Sequence, residues 1–155
     1  MCGIVGYIGD KDCFPILIKG LQRLEYRGYD SAGVAVFDGT DTIQVKKKKG
    51  KVEDLLDFVA SDVPTGSTGI GHTRWATHGP PNDVNAHPHT ARFGRLAMIH
   101  NGIIENYESL RTSLEANGHA FVSDTDTEVL IHLIDEVQSR TNTSITDAVQ
   151  MALKE

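Results

Sequence analysis

The N-terminal stretch Met1-Cys2-Gly3-Ile4-Val5-Gly6-Tyr7-Ile8 decides how the rest of this sequence is interpreted. Removal of Met1 gives Cys2 both a thiol and a free α-amine. The unperturbed pKa is about 8.5 for a thiol and about 7.7–8.0 for an α-amine, so part of the amine population is able to accept the thiol's proton at neutral pH. A catalytic nucleophile requires an adjacent base. Two interpretations of Cys2 are therefore open: a nucleophile, or an ordinary apolar residue at a frayed terminus.

The apolar run that follows Cys2 predicts a buried strand over residues 3–8. Such a strand holds residue 2 at the rigid end of a sheet. We expect Gly3 and Gly6 to let other backbone, or a ligand, approach this strand closely.

Length and composition indicate one domain spanning residues 1–155. The chain is 39% hydrophobic and 23% charged, as is usual for globular proteins, and its net charge of −6 argues against nucleic-acid or membrane-surface partners. We find no bilayer-spanning stretch and no signal peptide. Two cysteines, Cys2 and Cys13, suggest no disulfide framework, so we expect a cytoplasmic protein. The basic run Lys46–Lys49 is interpreted as a solvated strand end.

Hydrophobic periodicity and capping residues predict a mixture of strands and helices. Residues 77–90 hold three prolines and three histidines and are predicted to form a long polar loop. Such loops are often functional. The capping box Thr125–Glu128 marks the start of an apolar helix. The expected strands are 3–8, 31–37, 42–47, 68–75, 94–99 and 121–122, and the other expected helices are 10–26, 52–60, 106–117 and 146–153.

Polar residues that follow the predicted strands are candidates for binding and catalysis. Arg74 offers a fork of donors that matches a carboxylate, although a surface salt bridge also explains it. The Asn101 side chain and the Gly102 backbone N–H can both point at one oxyanion, although the pair also forms a plain turn. Asp126 begins a helix, where it either compensates the helix dipole or holds a substrate ammonium group.

Five histidines, at positions 72, 78, 87, 89 and 100, raise the possibility of a zinc site. Their spacing matches neither a helical pair nor the usual finger patterns, so we expect no metal and no cofactor. The remaining signals together fit a substrate with an α-amino acid at one end and a carbonyl at the other. L-Glutamine is such a molecule.

Six stretches of the sequence resemble the N-terminal glutaminase domains of the glutamine–fructose-6-phosphate aminotransferases, which are class II glutamine amidotransferases. The resemblance covers nearly the whole chain. The stretches are Met1 to Gly6, Leu24 to Gly33, His72 to Gly79, Asn85 to His89, His100 to Asn106 and Thr125 to Glu128.

The resemblance implies an α+β fold, the four-layer αββα sandwich of the N-terminal-nucleophile hydrolases. It implies hydrolysis of L-glutamine to glutamate and ammonia, with a role for each candidate residue. Cys2 is implied as the nucleophile, Asn101 and Gly102 as the oxyanion hole, Arg74 and Thr77 as carboxylate ligands and Asp126 as the amine ligand; Trp75, His78 and His87 line the pocket, and Arg27 lies near the nucleophile.

The resemblance also implies partners outside this chain. Family members carry sugar-phosphate isomerase domains that use the ammonia to convert fructose 6-phosphate to glucosamine 6-phosphate, and we expect a homodimer at full length. Since the family's glutaminase domain is longer, we expect a sandwich that is incomplete at its C-terminus. Two alternatives stay open: the glutaminase half of an amidophosphoribosyltransferase, and an inactive fragment that only binds glutamine.

Overall fold

The computed structural model describes residues 2–40, 42–76 and 79–155. Two short 3-10 turns, Glu25–Arg27 and Arg92–Gly94, accompany the regular elements. The strands are β1 Gly3–Ile8, β2 Ser31–Phe37, β3 Ile43–Lys49, β4 Thr68–Arg74, β5 His89–Thr90 and β6 Ala97–Met98; the helices are α1 Cys13–Leu24, α2 Val52–Val59, α3 Tyr107–Ala116, α4 Asp126–Thr141 and α5 Ile145–Ala152.

Four strands form an antiparallel sheet in the order β1-β4-β2-β3. The register pairs Gly3 with Thr73 and Ser31 with Arg74. The start of β1, the end of β4 and the start of β2 therefore meet at one end of the sheet. This arrangement brings Cys2 beside the residues that follow β4, although the two segments are more than 70 residues apart in sequence.

Helices α1 and α2 cover one face of this sheet and bury its apolar side chains. Helix α1 begins where the Asp12 side chain accepts a hydrogen bond from Phe14 N, and its apolar residues recur every three or four positions. The buried cluster between these helices and the sheet includes Leu17, Leu21, Val34, Val36, Val52 and Leu55. Burial of these apolar side chains stabilises the sheet in which β1 follows Cys2 and β4 ends at Arg74.

A second apolar core lies among α3, α4 and α5, and the short β5–β6 sheet packs against α4. Helix α4 begins as expected, because Thr125 Oγ1 accepts a hydrogen bond from Glu128 N. A capping box would also have the Glu128 carboxylate accept a hydrogen bond from Thr125 N, but this carboxylate has other partners. Glu128 instead accepts from Val122 N at 2.9 Å and from Ser123 N at 2.7 Å, and so fixes the loop before the helix.

Three expectations about strands and glycines differ from the structure. Residues 94–99 contribute only the two-residue β6, because Phe93 and Gly94 both adopt positive φ and turn the chain. Residues 121–122 form no strand, since Val122 N is bonded to Glu128. A Cβ at Gly3 would meet the side chains of Leu24 and Thr73 rather than other backbone, and a Cβ at Gly6 would meet no atom within 4 Å.

Gly33 is the position in the sheet where a side chain is least tolerable. A Cβ there would lie 2.1 Å from the carbonyl oxygen of His87, so the loop that carries His87 crosses β2 at this residue. We expect Gly33→Ala to lower the free energy of unfolding by about 1–3 kcal/mol through overpacking. Thermal denaturation checks this, with Gly6→Ala as the matched control. Equal melting temperatures for the two variants would contradict the close approach at Gly33.

Candidate active site

A cavity of about 630 Å³ opens at the end of the sheet where β1 begins and β4 ends. Its wall draws on six segments of the chain that are distant in sequence. The lining residues are Cys2, Arg27, His72, Arg74, Trp75, His87, His100, Asn101, Gly102, Ile103, Asp126 and Thr127.

The Cys2 thiol lies against the backbone that follows β4. Trp75 N donates a hydrogen bond to Cys2 Sγ at 3.2 Å. The turn that supplies this donor is itself fixed by Asp30: Ala76 N donates to the Asp30 carboxylate at 2.6 Å, and Asp30 N donates to Arg74 O at 2.8 Å. The sulfur therefore has a preorganised N–H donor, and its own thiol faces Trp75 O at 3.5 Å.

Arg74 is only 3% exposed, so the surface salt-bridge interpretation does not hold. Burial lowers the pKa of Arg74, while the nearby charges of Asp30, Cys2 and Asp126 act in the opposite direction. An arginine keeps its positive charge in such a setting. The cavity thus has a buried guanidinium in its wall, close to the Cys2 thiol.

Asn101 and Gly102 occupy the wall of the same cavity. The Asn101 side-chain oxygen is 2.7 Å from His72 Nε2. The His100 ring packs directly against Gly102, where an added Cβ would lie 2.7 Å from His100 Nε2. His72 of β4 thus contacts Asn101 on one side, and the ring of His100 packs against Gly102 on the other.

Asp126 is the first residue of α4 and is only 4% exposed, so it is not a solvent-facing helix-dipole residue. One of its carboxylate oxygens accepts a hydrogen bond from Ile104 N at 2.7 Å. This contact ties the segment of Asn101 and Gly102 to the helix.

Three neighbouring histidine rings lie in a row, and two of them, His72 and His87, belong to the cavity wall. The His72 and His87 rings are 4.6 Å apart, and the His87 and His89 rings are 4.7 Å apart. Burial lowers the pKa of His72 to about 4 and that of His89 to about 3, and burial with neighbouring positive charge lowers the pKa of His87 still further. All three rings are therefore neutral at neutral pH. Within the described residues, no group of three side chains is arranged to hold a metal ion.

The loop before β5 is anchored on two sides to the surrounding fold by consecutive residues, Asp83 to Asn85. Asn85 is fully buried and exchanges hydrogen bonds with Asp124, just before α4. On the other side, Lys47 Nζ donates to Val84 O at 2.8 Å and Lys48 pairs with Asp83. The interpretation of the lysine run as a solvated strand end is therefore wrong, because its central members hold this loop.

The cavity brings together most of the residues singled out in the sequence. Arg27, Trp75 and His87 also belong to its wall. Thr77 and His78 lie outside the described residues. Sequence reasoning did not single out Asp30, and it considered His72 only as a possible metal ligand. It also assigned no role in the cavity to Ile103 and Thr127, or to His100 beyond a possible metal ligand, although all three lie inside the stretches that carry the family resemblance.

Comparisons with known proteins agree on the kind of domain. The family described as "Glutamine amidotransferase domain" matches residues 59–149, more than half of the chain. A glutamine–fructose-6-phosphate aminotransferase (isomerizing) from Bacteroides thetaiotaomicron is 56% identical over the whole chain, and one from Symbiobacterium thermophilum is 62% identical over 135 residues, 86% of the chain. The chain spans about a quarter of the length of these relatives, 25% and 22% respectively.

Solved structures extend the comparison to the fold. The glutamine phosphoribosylpyrophosphate amidotransferase from B. subtilis matches 99% of this chain and 32% of its own, with a TM-score of 0.80 and 29% identity. A structure described as the allosteric regulatory enzyme of purine biosynthesis matches 99% of this chain and 33% of its own, with a TM-score of 0.83 and 29% identity. These overlaps confirm the expected α+β fold of the N-terminal-nucleophile hydrolase type. In the part of the chain described here, no helix has the length and apolar character to cross a membrane.

Proposed function

This chain belongs to the glutamine amidotransferase domain family, and we propose that it hydrolyses L-glutamine to glutamate and ammonia through a γ-glutamyl thioester on Cys2. One observation carries the proposal: a thiol, a guanidinium, a carboxylate and an Asn-Gly pair line one cavity. These groups match the parts of glutamine one by one. Arg74 suits the α-carboxylate and Asp126 the α-ammonium, which leaves the carboxamide for Cys2, Asn101 and Gly102.

In the first step, the Cys2 sulfur attacks the carboxamide carbon, and the thiol proton passes to the α-amine of Cys2. The carbonyl oxygen becomes negative and accepts hydrogen bonds from the Asn101 side chain and the Gly102 N–H, donors that act most strongly as charge develops. The protonated α-amine of Cys2 then gives its proton to the carboxamide nitrogen of the substrate. The carbon–nitrogen bond breaks, and ammonia leaves a γ-glutamyl thioester.

In the second step, a water molecule attacks the thioester while the α-amine of Cys2 takes its proton. The carbon–sulfur bond breaks and glutamate is released. The sulfur leaves with negative charge, which the Trp75 N–H at 3.2 Å helps to stabilise until the proton returns. The remaining groups implied by the family resemblance, Thr77 and His78 for the substrate and Arg27 near the nucleophile, belong to the same proposal.

The direct test is a turnover assay with purified protein from which Met1 has been removed. We expect glutamine to give glutamate and ammonia in equal amounts. Asparagine, one methylene shorter, should react far more slowly because its carboxamide cannot reach Cys2 while both ends of the amino acid are held. Binding of glutamine without any hydrolysis would contradict the proposal and favour a glutamine-binding module.

Arg74→Lys tests the proposed carboxylate ligand. Lysine keeps the charge but lacks the bidentate fork. Because a charge-assisted hydrogen bond contributes about 1.5–3 kcal/mol, glutamine affinity should fall about 10- to 100-fold. Calorimetry in a Cys2→Ala background, where no turnover occurs, measures this. 4-Aminobutanamide, which lacks the carboxylate, is the control and should bind both proteins equally; an equal loss for both ligands would mean that Arg74 acts through the fold.

Two substitutions separate the possible roles of Asp126. Asp126→Asn keeps an oxygen that can accept from Ile104 N but removes the negative charge, whereas Asp126→Ala removes both. We therefore expect Asn to weaken glutamine binding without changing the affinity for glutaramic acid, the analogue that lacks the α-amine. Alanine should weaken both, because the segment of Asn101 is released. Normal glutamine binding by the Asn variant would rule out an ammonium ligand here.

The relatives also bear on what the ammonia is used for. We infer that a sugar-phosphate isomerase domain like that of the relatives takes up the ammonia to convert fructose 6-phosphate to glucosamine 6-phosphate, in a cytoplasmic homodimer. The identity of 56% to such an aminotransferase supports this assignment over an amidophosphoribosyltransferase, for which the structural match is 29% identical.

A further inference from the structure

His72 lies behind Asn101 and is almost completely buried, with 1% of its surface exposed. It belongs to β4, where the register places it between Ile4 of β1 and Gly33 of β2. The sheet therefore fixes its backbone on both sides. Its Nε2 atom is 2.7 Å from Asn101 Oδ1, a contact between residues 29 positions apart in sequence.

The surroundings of the imidazole decide which nitrogen carries its proton. The pKa of His72 is lowered by burial to about 4, so the ring is neutral and has a single N–H. Within the described residues, its Nδ1 atom is buried without a hydrogen-bond partner. Orphaned buried N–H groups are rarer in folded proteins than acceptors with unused lone pairs. The proton therefore belongs on Nε2, which donates it to Asn101 Oδ1.

This hydrogen bond determines which end of the Asn101 amide is available to a substrate. With Oδ1 accepting from His72, the Nδ2 group is the one that can donate into the cavity. The reversed amide would present its carbonyl oxygen to the oxygen of the substrate, and two such acceptors repel each other. An oxyanion hole made of a side-chain amide needs a partner that prevents this reversal.

We propose that His72 is a positioning residue that orients the Asn101 amide as an oxyanion donor. The inference rests on the proposed glutaminase function and adds to it a residue that acts through Asn101. The effect of His72 is expected mainly in the transition state, because Asn101 is expected to contribute little to binding of the ground-state substrate. His72 thus affects turnover more than affinity.

The test compares His72→Leu with His72→Gln. Leucine fills a similar volume but has no donor, whereas glutamine places a side-chain N–H close to the position of the imidazole Nε2. For the leucine variant we expect kcat to fall about 10- to 100-fold, less than the loss of the amide itself, with unchanged glutamine affinity in the Cys2→Ala background. The glutamine variant should recover most of the lost turnover.

A second readout uses an aldehyde analogue of glutamine, which adds to Cys2 and forms a tetrahedral adduct whose oxygen occupies the oxyanion position. We expect His72→Leu to weaken the aldehyde by the same factor as kcat. In the Asn101→Ala background, His72→Leu should cost almost nothing, since residues that act as a unit are not additive.

Three results would overturn the inference about His72. These are an undiminished loss of kcat in the Asn101→Ala background, parallel losses of glutamine and aldehyde affinity, and no rescue by His72→Gln. Failure of the proposed function itself looks different, since wild-type protein would then neither hydrolyse glutamine nor capture the aldehyde at Cys2.

Discussion

Glutamine hydrolysis is expected to fall below detection when Cys2 is replaced with alanine. The thiol is the only group that forms the covalent intermediate, and loss of a catalytic nucleophile has cost about 10⁶-fold in turnover in another hydrolase. Protein that retains Met1 should be equally inactive, because its Cys2 nitrogen is an amide and cannot act as a base. Ammonia release from glutamine measures both effects, with intact mass confirming the state of the N-terminus.

The other cysteine supplies the matched control. Cys13 is a fully buried residue at the start of α1 and lies on the face of the sheet covered by that helix. Burial raises the pKa of its thiol, which makes it a poor nucleophile. Cys13→Ala should keep full activity with some loss of stability. If Cys13→Ala and Cys2→Ala were equally inactive, the chemistry would not belong to Cys2 in particular.

Replacing Asn101 with alanine is expected to slow turnover about 10²- to 10³-fold while leaving glutamine affinity almost unchanged. The reason is that the amide donates to an oxygen whose negative charge develops only during acyl transfer. Single-turnover kinetics give the rate of thioester formation, and calorimetry in the Cys2→Ala background gives the affinity.

Asn106→Ala is the control for this substitution, since Asn106 follows the same segment but its side chain donates to Glu155 O and is not part of the cavity wall. It should hydrolyse glutamine normally. A variant Asn101→Ala that loses affinity while keeping its turnover would mean that Asn101 binds the ground-state substrate instead.

The sequence predicted those parts of the fold that depend on local patterns. Strand β1 and strand β2 were placed at their observed residues, because short apolar runs bounded by turns have few other interpretations. Arg74, Asn101 and Asp126 were found because each follows a strand or begins a helix. The motif resemblance then brought them together in one site before any distance was known.

The missed features depend on contacts between distant segments. The sequence presents His72 only as a possible metal ligand, whereas the structure places its Nε2 2.7 Å from Asn101 Oδ1. Asp30 holds the backbone at Ala76, which is 46 residues away, and Asn85 meets Asp124 across 39 residues. The short strand β6 likewise depends on the positive φ of Phe93, which residue preference does not predict. No spacing in the sequence encodes these contacts.

The central claim, covalent catalysis by the N-terminal Cys2, is tested most directly by trapping the intermediate. Protein without Met1 is mixed with glutamine, quenched in acid within one turnover, and mapped by peptide mass spectrometry. We expect a γ-glutamyl group on the N-terminal peptide that carries Cys2, removable by hydroxylamine as a thioester should be, and absent from the peptide that carries Cys13. Ammonia release without any adduct on Cys2, or an adduct on Cys13 in its place, would contradict it.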